Sequence, residues 1–151
     1  MKKLSVINCC IVLVLIISCK NSPAQNPENW TKSQLIEPST LAASLNSNKE
    51  LPLIFSIGPG ALIPHSIDIG MVKDQQNMTK FRARISKLPK STDIVLYCGC
   101  CPFDHCPNVR PAIAFLKSQN FTNYHLLNLP HNLKTDWIAK GYPLNKKLIN
   151  L

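Results

Sequence analysis

Four of the chain's seven cysteines fall within nine positions, in the stretch Tyr97-Cys98-Gly99-Cys100-Cys101-Pro102-Phe103-Asp104-His105-Cys106-Pro107-Asn108. Three chemistries are open to such a set. A single thiolate can act as a nucleophile and carry a covalent intermediate. A C-x-x-C pair, here Cys98 and Cys101, can exchange thiols and disulfides, and neighbouring cysteines can resolve a persulfide. Soft and borderline ligands close together, Cys98 with Cys100 or Cys101, His105 and Cys106, could hold zinc or copper(I). Four ligands in so short a segment make a tight geometry. A disulfide such as Cys101–Cys106 would instead close the loop and leave Cys98 free.

The flanking pattern says what holds these groups. Ile94 to Tyr97 is an unbroken apolar run of β-formers, the mark of a strand buried on both faces. Val109 to Gln119 is helical, with Val109, Ala112, Ile113 and Leu116 toward a core. Asn108 is the expected N-cap, and Pro111 is tolerated in the first turn. Cys98 thus ends a strand just before a helix N-terminus, where the helix dipole and free N–H groups lower a thiol pKa.

The rest of the chain alternates in the same way. A helix over 41–45 is expected after Ser39 or Thr40 as cap, then a strand over 53–57 that leaves through Gly58-Pro59-Gly60. Ile67–Ile69 is a short strand candidate. Asp74–Leu88 carries Met78, Phe81, Ile85 and Leu88 at helical spacing. Tyr124–Leu127 is a strand and 133–140 a last helix, stopped by Gly141. Strands alternating with helices across short connections predict a single α/β domain, a central parallel β-sheet with helices on both faces. Working groups in such folds sit at the C-terminal ends of strands, where Cys98 lies.

The N-terminus reads as an address. Met1-Lys2-Lys3 precedes an apolar run from Leu4 to Ile17, too short to span a bilayer and suited to a signal peptide. Cys9 and Cys10 are apolar filler within it. The ending Ile16-Ile17-Ser18-Cys19 resembles a bacterial lipobox. That resemblance implies cleavage of residues 1–18, lipidation of Cys19, and a membrane partner through the lipid anchor. It places the protein in the cell envelope, on the periplasmic or extracytoplasmic side. Residues 19–33 are polar and aperiodic, a tether to a domain over 34–147, with Trp30 the first docked residue. The net charge is +9. Lys73, Lys80, Arg82, Arg84, Lys87 and Lys90 spread over a helix rather than forming a stripe with aromatics, so no nucleic-acid partner is expected.

The segment from Ile36 to Leu144 resembles a rhodanese-like domain, the sulfurtransferase fold. Leu53-Ile54-Phe55-Ser56-Ile57 stands where that family has its leucine-isoleucine-aspartate-valine strand. Leu62-Ile63-Pro64-His65-Ser66-Ile67-Asp68-Ile69 is similar to its histidine-isoleucine-proline-glycine-alanine-isoleucine-asparagine stretch. Ile94-Val95-Leu96-Tyr97-Cys98 matches the strand delivering its catalytic cysteine. Asp136-Trp137 with Gly141-Tyr142-Pro143-Leu144 matches its closing tryptophan and glycine-x-proline. Ser56 replaces the usual aspartate, and Leu62 occupies the histidine position.

The resemblance implies sulfane-sulfur transfer through a Cys98 persulfide, from a small sulfur-containing substrate to a thiol acceptor, with no cofactor required. Zinc or copper enters only under the metal reading. The family's loop is shorter, often with an arginine near its far end. Here Cys100, Cys101 and Cys106 enlarge it, and Arg110 lies inside the following helix. Gly99, His105, Asn108, Arg110 and His65 complete the candidate pocket. Cys98-Gly99-Cys100-Cys101 also looks like the thioredoxin motif, but the strand order around it fits a rhodanese better. His131, after the last strand, could also reach the pocket, while His125 reads as a core or edge histidine.

Overall fold

The computed structural model describes residues 30–47 and 50–145. The expected signal peptide, Cys19 and the stretch read as a tether up to residue 29 lie outside the described residues. Among those that are described, no helix is long and apolar enough to cross a membrane.

The fold is α/β, with five parallel strands in the order β1-β5-β4-β2-β3. These are β1 (Leu35–Ile36), β2 (Leu53–Ser56), β3 (Ile67–Asp68), β4 (Ile94–Tyr97) and β5 (Tyr124–Leu127). β4 lies between β2 and β5, with Ile54 opposite Val95 and Val95 opposite His125. Its burial on both faces explains the apolar run: side chains alternate across a strand, so both alternating sets need apolar cover. Phe55, Ile94, Leu96 and Leu126 point to one layer, with α2 (Gln75–Ile85) and α3 (Val109–Ser118) over them. Ile54, Val95, Tyr97 and Leu127 point to the other, covered by α1 (Pro38–Leu45) and α4 (Leu133–Asp136). The predicted parallel sheet with helices on both faces is therefore the observed architecture.

Several boundaries differ from expectation. The short edge strand β1 is too brief to show a period and pairs with β5. α1 starts at Pro38, ahead of the expected caps Ser39 and Thr40. The backbone carbonyl of Glu37 accepts from Thr40 and Leu41 instead, and proline suits a first helical position because its fixed φ is already helical. The expected helix over 133–140 breaks at Trp137 into α4 and a 3-10 turn over Ile138–Lys140. Trp137 is fully buried there. Gly141 ends that turn at φ +71°, the left-handed conformation that favours glycine.

Part of the stretch read as a tether lies among the described residues. Lys32–Gln34 form a 3-10 turn. Trp30 packs edge-on against Phe103 at a centroid distance of 6.3 Å, so the docking residue also holds the cysteine loop. Lys80, Arg82, Arg84, Lys87 and Lys90 are all exposed.

Candidate functional site

Cys98 follows directly on β4, the strand between β2 and β5, and is 2% exposed. The backbone there is fixed by Ile57 N–H donating to the Tyr97 carbonyl at 2.9 Å. Room for the sulfur comes from Gly58 at the exit of β2. A Cβ at that position would stand 2.6 Å from Cys98 Sγ. Gly99 is required for a different contact, since a Cβ there would meet Leu133 Cβ at 2.9 Å. Leu133 N–H also donates to the Gly99 carbonyl at 3.0 Å.

The loop then folds back on the strand end. Phe103–His105 make a 3-10 turn. Phe103 N–H donates to the Leu129 carbonyl at 3.2 Å, and Cys106 N–H to the Phe103 carbonyl at 3.4 Å. These bonds turn Cys106 inward until it is fully buried. The outcome is a cluster in which the Sγ atoms of Cys98, Cys100, Cys101 and Cys106 all lie within 4.8 Å of one another. Cys98 and Cys100 are 3.4 Å apart, Cys100 and Cys101 3.3 Å. All four are free thiols, well beyond the ~2.05 Å of a disulfide bond. Cys100 is exposed and Cys101 half-buried, so the cluster opens outward through these two.

Asn108 does not cap α3 with its side chain. Its carboxamide is used on the cysteines instead: Nδ2 donates to Cys98 Sγ at 3.4 Å and lies 3.9 Å from Cys106 Sγ. Oδ1 accepts from Lys73 N–H at 3.0 Å, which fixes the orientation of the amide. Asn108 is 1% exposed.

The electrostatics follow from this arrangement. Cys98 is pulled down to about 5, first by the Cys106 thiol hydrogen bond and, against the opposing effect of burial, by the Cys100 backbone N–H, the Asn108 amide and the Cys100 thiol. Cys106 is pushed up, first because it donates to Cys98 and then by burial. Burial and the neighbouring Cys101 and Cys98 sulfurs push Cys100 up to about 12. One negative charge therefore sits on Cys98 while Cys100 and Cys106 stay protonated around it. The helix N-terminus was the expected source of that stabilisation. The partners within hydrogen-bond distance of the sulfur are the Cys100 thiol and the Asn108 amide, each at 3.4 Å.

The other predicted site residues separate. His105 points away from the sulfurs, its side chain 79% exposed and 3.5 Å from Asp104. The expected set of Cys98, Cys101, His105 and Cys106 is thus replaced by four thiols, because the 3-10 turn that buries Cys106 presents its preceding residue to solvent. Arg110 Nη2 donates to the Asp104 carbonyl at 2.9 Å, bracing the loop from outside. His65 is exposed in a turn at φ +61°. His131 is held by Asp136 at 2.9 Å, and His125 lies 3.8 Å from Asp93. Gly58, Lys73 and Leu133 support the site without having been expected to. A glycine directly after a strand was the only trace that one of them left.

Solved structures share the architecture. The Alr3790 protein from Anabaena sp. superposes with a TM-score of 0.52 at 17% identity, over 76% of this chain and 98% of that one. A cysteine-to-serine variant of EanB in complex with hercynine gives 0.51 at 19% identity, over 74% of this chain and 27% of that one. The chain thus spans about a quarter of EanB. No protein-family model matches the chain. No curated protein matches it either. At these identities the likeness carries the fold alone, the α/β arrangement with its central parallel sheet.

Proposed function

We propose that this protein is a rhodanese-like sulfurtransferase that uses Cys98 as its nucleophile. The observation that carries the reading is the setting of the Cys98 sulfur, at the end of the strand between β2 and β5, against Gly58 and with the Asn108 amide donating to it. In the first step the thiolate attacks the sulfane sulfur of a small donor. With thiosulfate, the S–S bond breaks, sulfite leaves with the bonding pair, and a Cys98 persulfide remains. A thiol acceptor then takes the outer sulfur and restores the thiolate. The hydrogen-bond donors that hold Cys98 as an anion favour it as both nucleophile and leaving group. No cofactor enters these steps. The N-terminal pattern supports an envelope protein anchored through lipidated Cys19.

Full-length protein in detergent, incubated with thiosulfate, should release one equivalent of sulfite as it takes up sulfur, and Cys98→Ser should abolish the release. A wild-type protein that takes up no sulfur sinks the reading.

The clustering of four thiols within 4.8 Å supports a second reading, a closed zinc or copper(I) centre. Elemental analysis of protein purified without chelator tests it. Stoichiometric metal in a protein that takes up no sulfur favours that reading, and metal-free protein that forms the adduct excludes it.

A further inference from the structure

A sulfurtransferase needs one cysteine, and three more surround this one. Cys100 is the one whose geometry differs in a usable way. Its Sγ lies 3.4 Å from Cys98 Sγ. Cys106 is sealed in the core at 0% exposure, whereas Cys100 is exposed. A disulfide between Cys98 and Cys106 would be closed to any outside reductant. One between Cys98 and Cys100 would keep a sulfur at the surface. Cys101 has its close thiol contact, 3.3 Å, with Cys100.

We propose that Cys98 and Cys100 form a resolving pair, so that the protein reduces sulfane sulfur to sulfide and an external dithiol is its second substrate. This rests on the sulfurtransferase reading and names the fate of the sulfur. The Cys100 thiol passes its proton to the outer sulfur of the Cys98 persulfide, and the thiolate so formed attacks the inner sulfur. The Cys98–Cys100 S–S bond forms and the persulfide S–S bond breaks. The outer sulfur, carrying the Cys100 proton, leaves with the electron pair as hydrosulfide. The sulfane sulfur is reduced by two electrons, and the two cysteines are oxidised to a disulfide. Closing from 3.4 Å to the ~2.05 Å of a bond needs a shift of about 1.4 Å. An external dithiol then attacks the exposed Cys100 sulfur, leaves as its own disulfide, and returns both thiols. A partner held this close outcompetes a diffusing acceptor, since well-placed intramolecular groups reach effective molarities of about 10⁵ M and above.

A single-turnover experiment tests this. Full-length reduced protein is freed of reductant under anaerobic conditions and given one equivalent of thiosulfate with no added thiol. The wild type should release one sulfide per chain and end two hydrogens lighter than the reduced form, with Cys98 and Cys100 linked in the peptide map. Cys100→Ser should take up sulfur and keep it, with sulfide release down by at least about tenfold. Cys101→Ser should still release sulfide. A wild type that holds a stable persulfide overturns the resolving pair and leaves the sulfurtransferase standing. Sulfide release that survives Cys100→Ser but not Cys101→Ser also overturns the pair. A wild type that takes up no sulfur removes both proposals.

Discussion

Gly58 and Cys98 are in contact across two adjacent parallel strands, and the contact leaves no room for a methyl group. A Cβ on Gly58 would lie 2.6 Å from Cys98 Sγ and 3.2 Å from its Cα. Cys98 cannot swing away freely, because its sulfur is hemmed in by Cys100 at 3.4 Å and by the Asn108 amide at 3.4 Å. Gly58→Ala should therefore displace the sulfur from its donors and overpack the strand ends, at a cost of about 1–3 kcal/mol. Chemical denaturation measures the cost, and sulfite release from thiosulfate measures the loss of sulfur uptake. A variant as stable and as reactive as the wild type would show that the site tolerates the shift.

Asn108 has two jobs that one substitution separates. Its Oδ1 accepts from Lys73 N–H and its Nδ2 donates to Cys98 Sγ. Asn108→Asp keeps the acceptor, removes the donor and puts a carboxylate beside the thiolate. Like charges disfavour each other's ionised form, so the Cys98 pKa should rise and the pH midpoint of sulfur uptake should move up with it, by about one unit or more. Asn108→Ala also leaves Lys73 N–H without its partner, which costs about 1–3 kcal/mol. The two variants should thus differ in stability and agree in a raised uptake midpoint, as thermal unfolding and sulfite release measured across pH would record.

The charge on Cys98 sets a pH dependence whose sign is fixed. Its pKa is depressed to about 5, so the sulfur is a thiolate above that pH and a thiol below it. An unperturbed cysteine ionises near pH 8.5. Thiolate absorbance near 240 nm, taken as wild type minus Cys98→Ser, should rise by one thiolate with a midpoint near pH 5 and stay level through neutrality. Sulfur uptake should fall as pH drops through the same midpoint. Cys106→Ala removes the strongest donor, so its midpoint should move upward, toward the ordinary value. A difference titration centred above pH 8 in the wild type would remove the argument for a preformed thiolate.

The sheet was legible because its signals are local and strong. Ile94 to Tyr97 could only be a strand buried on both faces, and Val109, Ala112, Ile113 and Leu116 mark one helix face by spacing alone. Cys98 followed from their junction. The partners of Cys98 were less accessible. Asn108 reads as a helix cap at its position, and only the turn that buries Cys106 brings its amide onto the sulfurs. His105 looked like a ligand because it is adjacent to Cys106 in sequence. In a tight turn, adjacent side chains point in different directions, and His105 faces solvent. Gly58 is 40 positions from Cys98, and only the pairing of β2 with β4 makes them neighbours.

Tyr97 is fully buried, and burial raises its phenol pKa so that it stays neutral. Its hydroxyl accepts from Ile63 N–H at 3.3 Å and shares a hydrogen bond with Ser66 Oγ at 3.1 Å. It therefore ties the segment between β2 and β3 to the end of β4 by a single side chain. Tyr97→Phe keeps the ring and its packing but leaves a buried N–H unsatisfied, at a cost of about 1–3 kcal/mol. The Ile63 amide should lose hydrogen-exchange protection to a greater extent than the amides of α3, because only the former loses its partner. Ser66 retains the Ile63 carbonyl as an acceptor at 2.6 Å, so the turn around His65 should loosen rather than unfold. Equal loss of protection in α3 and at Ile63 would mean that Tyr97 supports the fold as a whole instead of this connection.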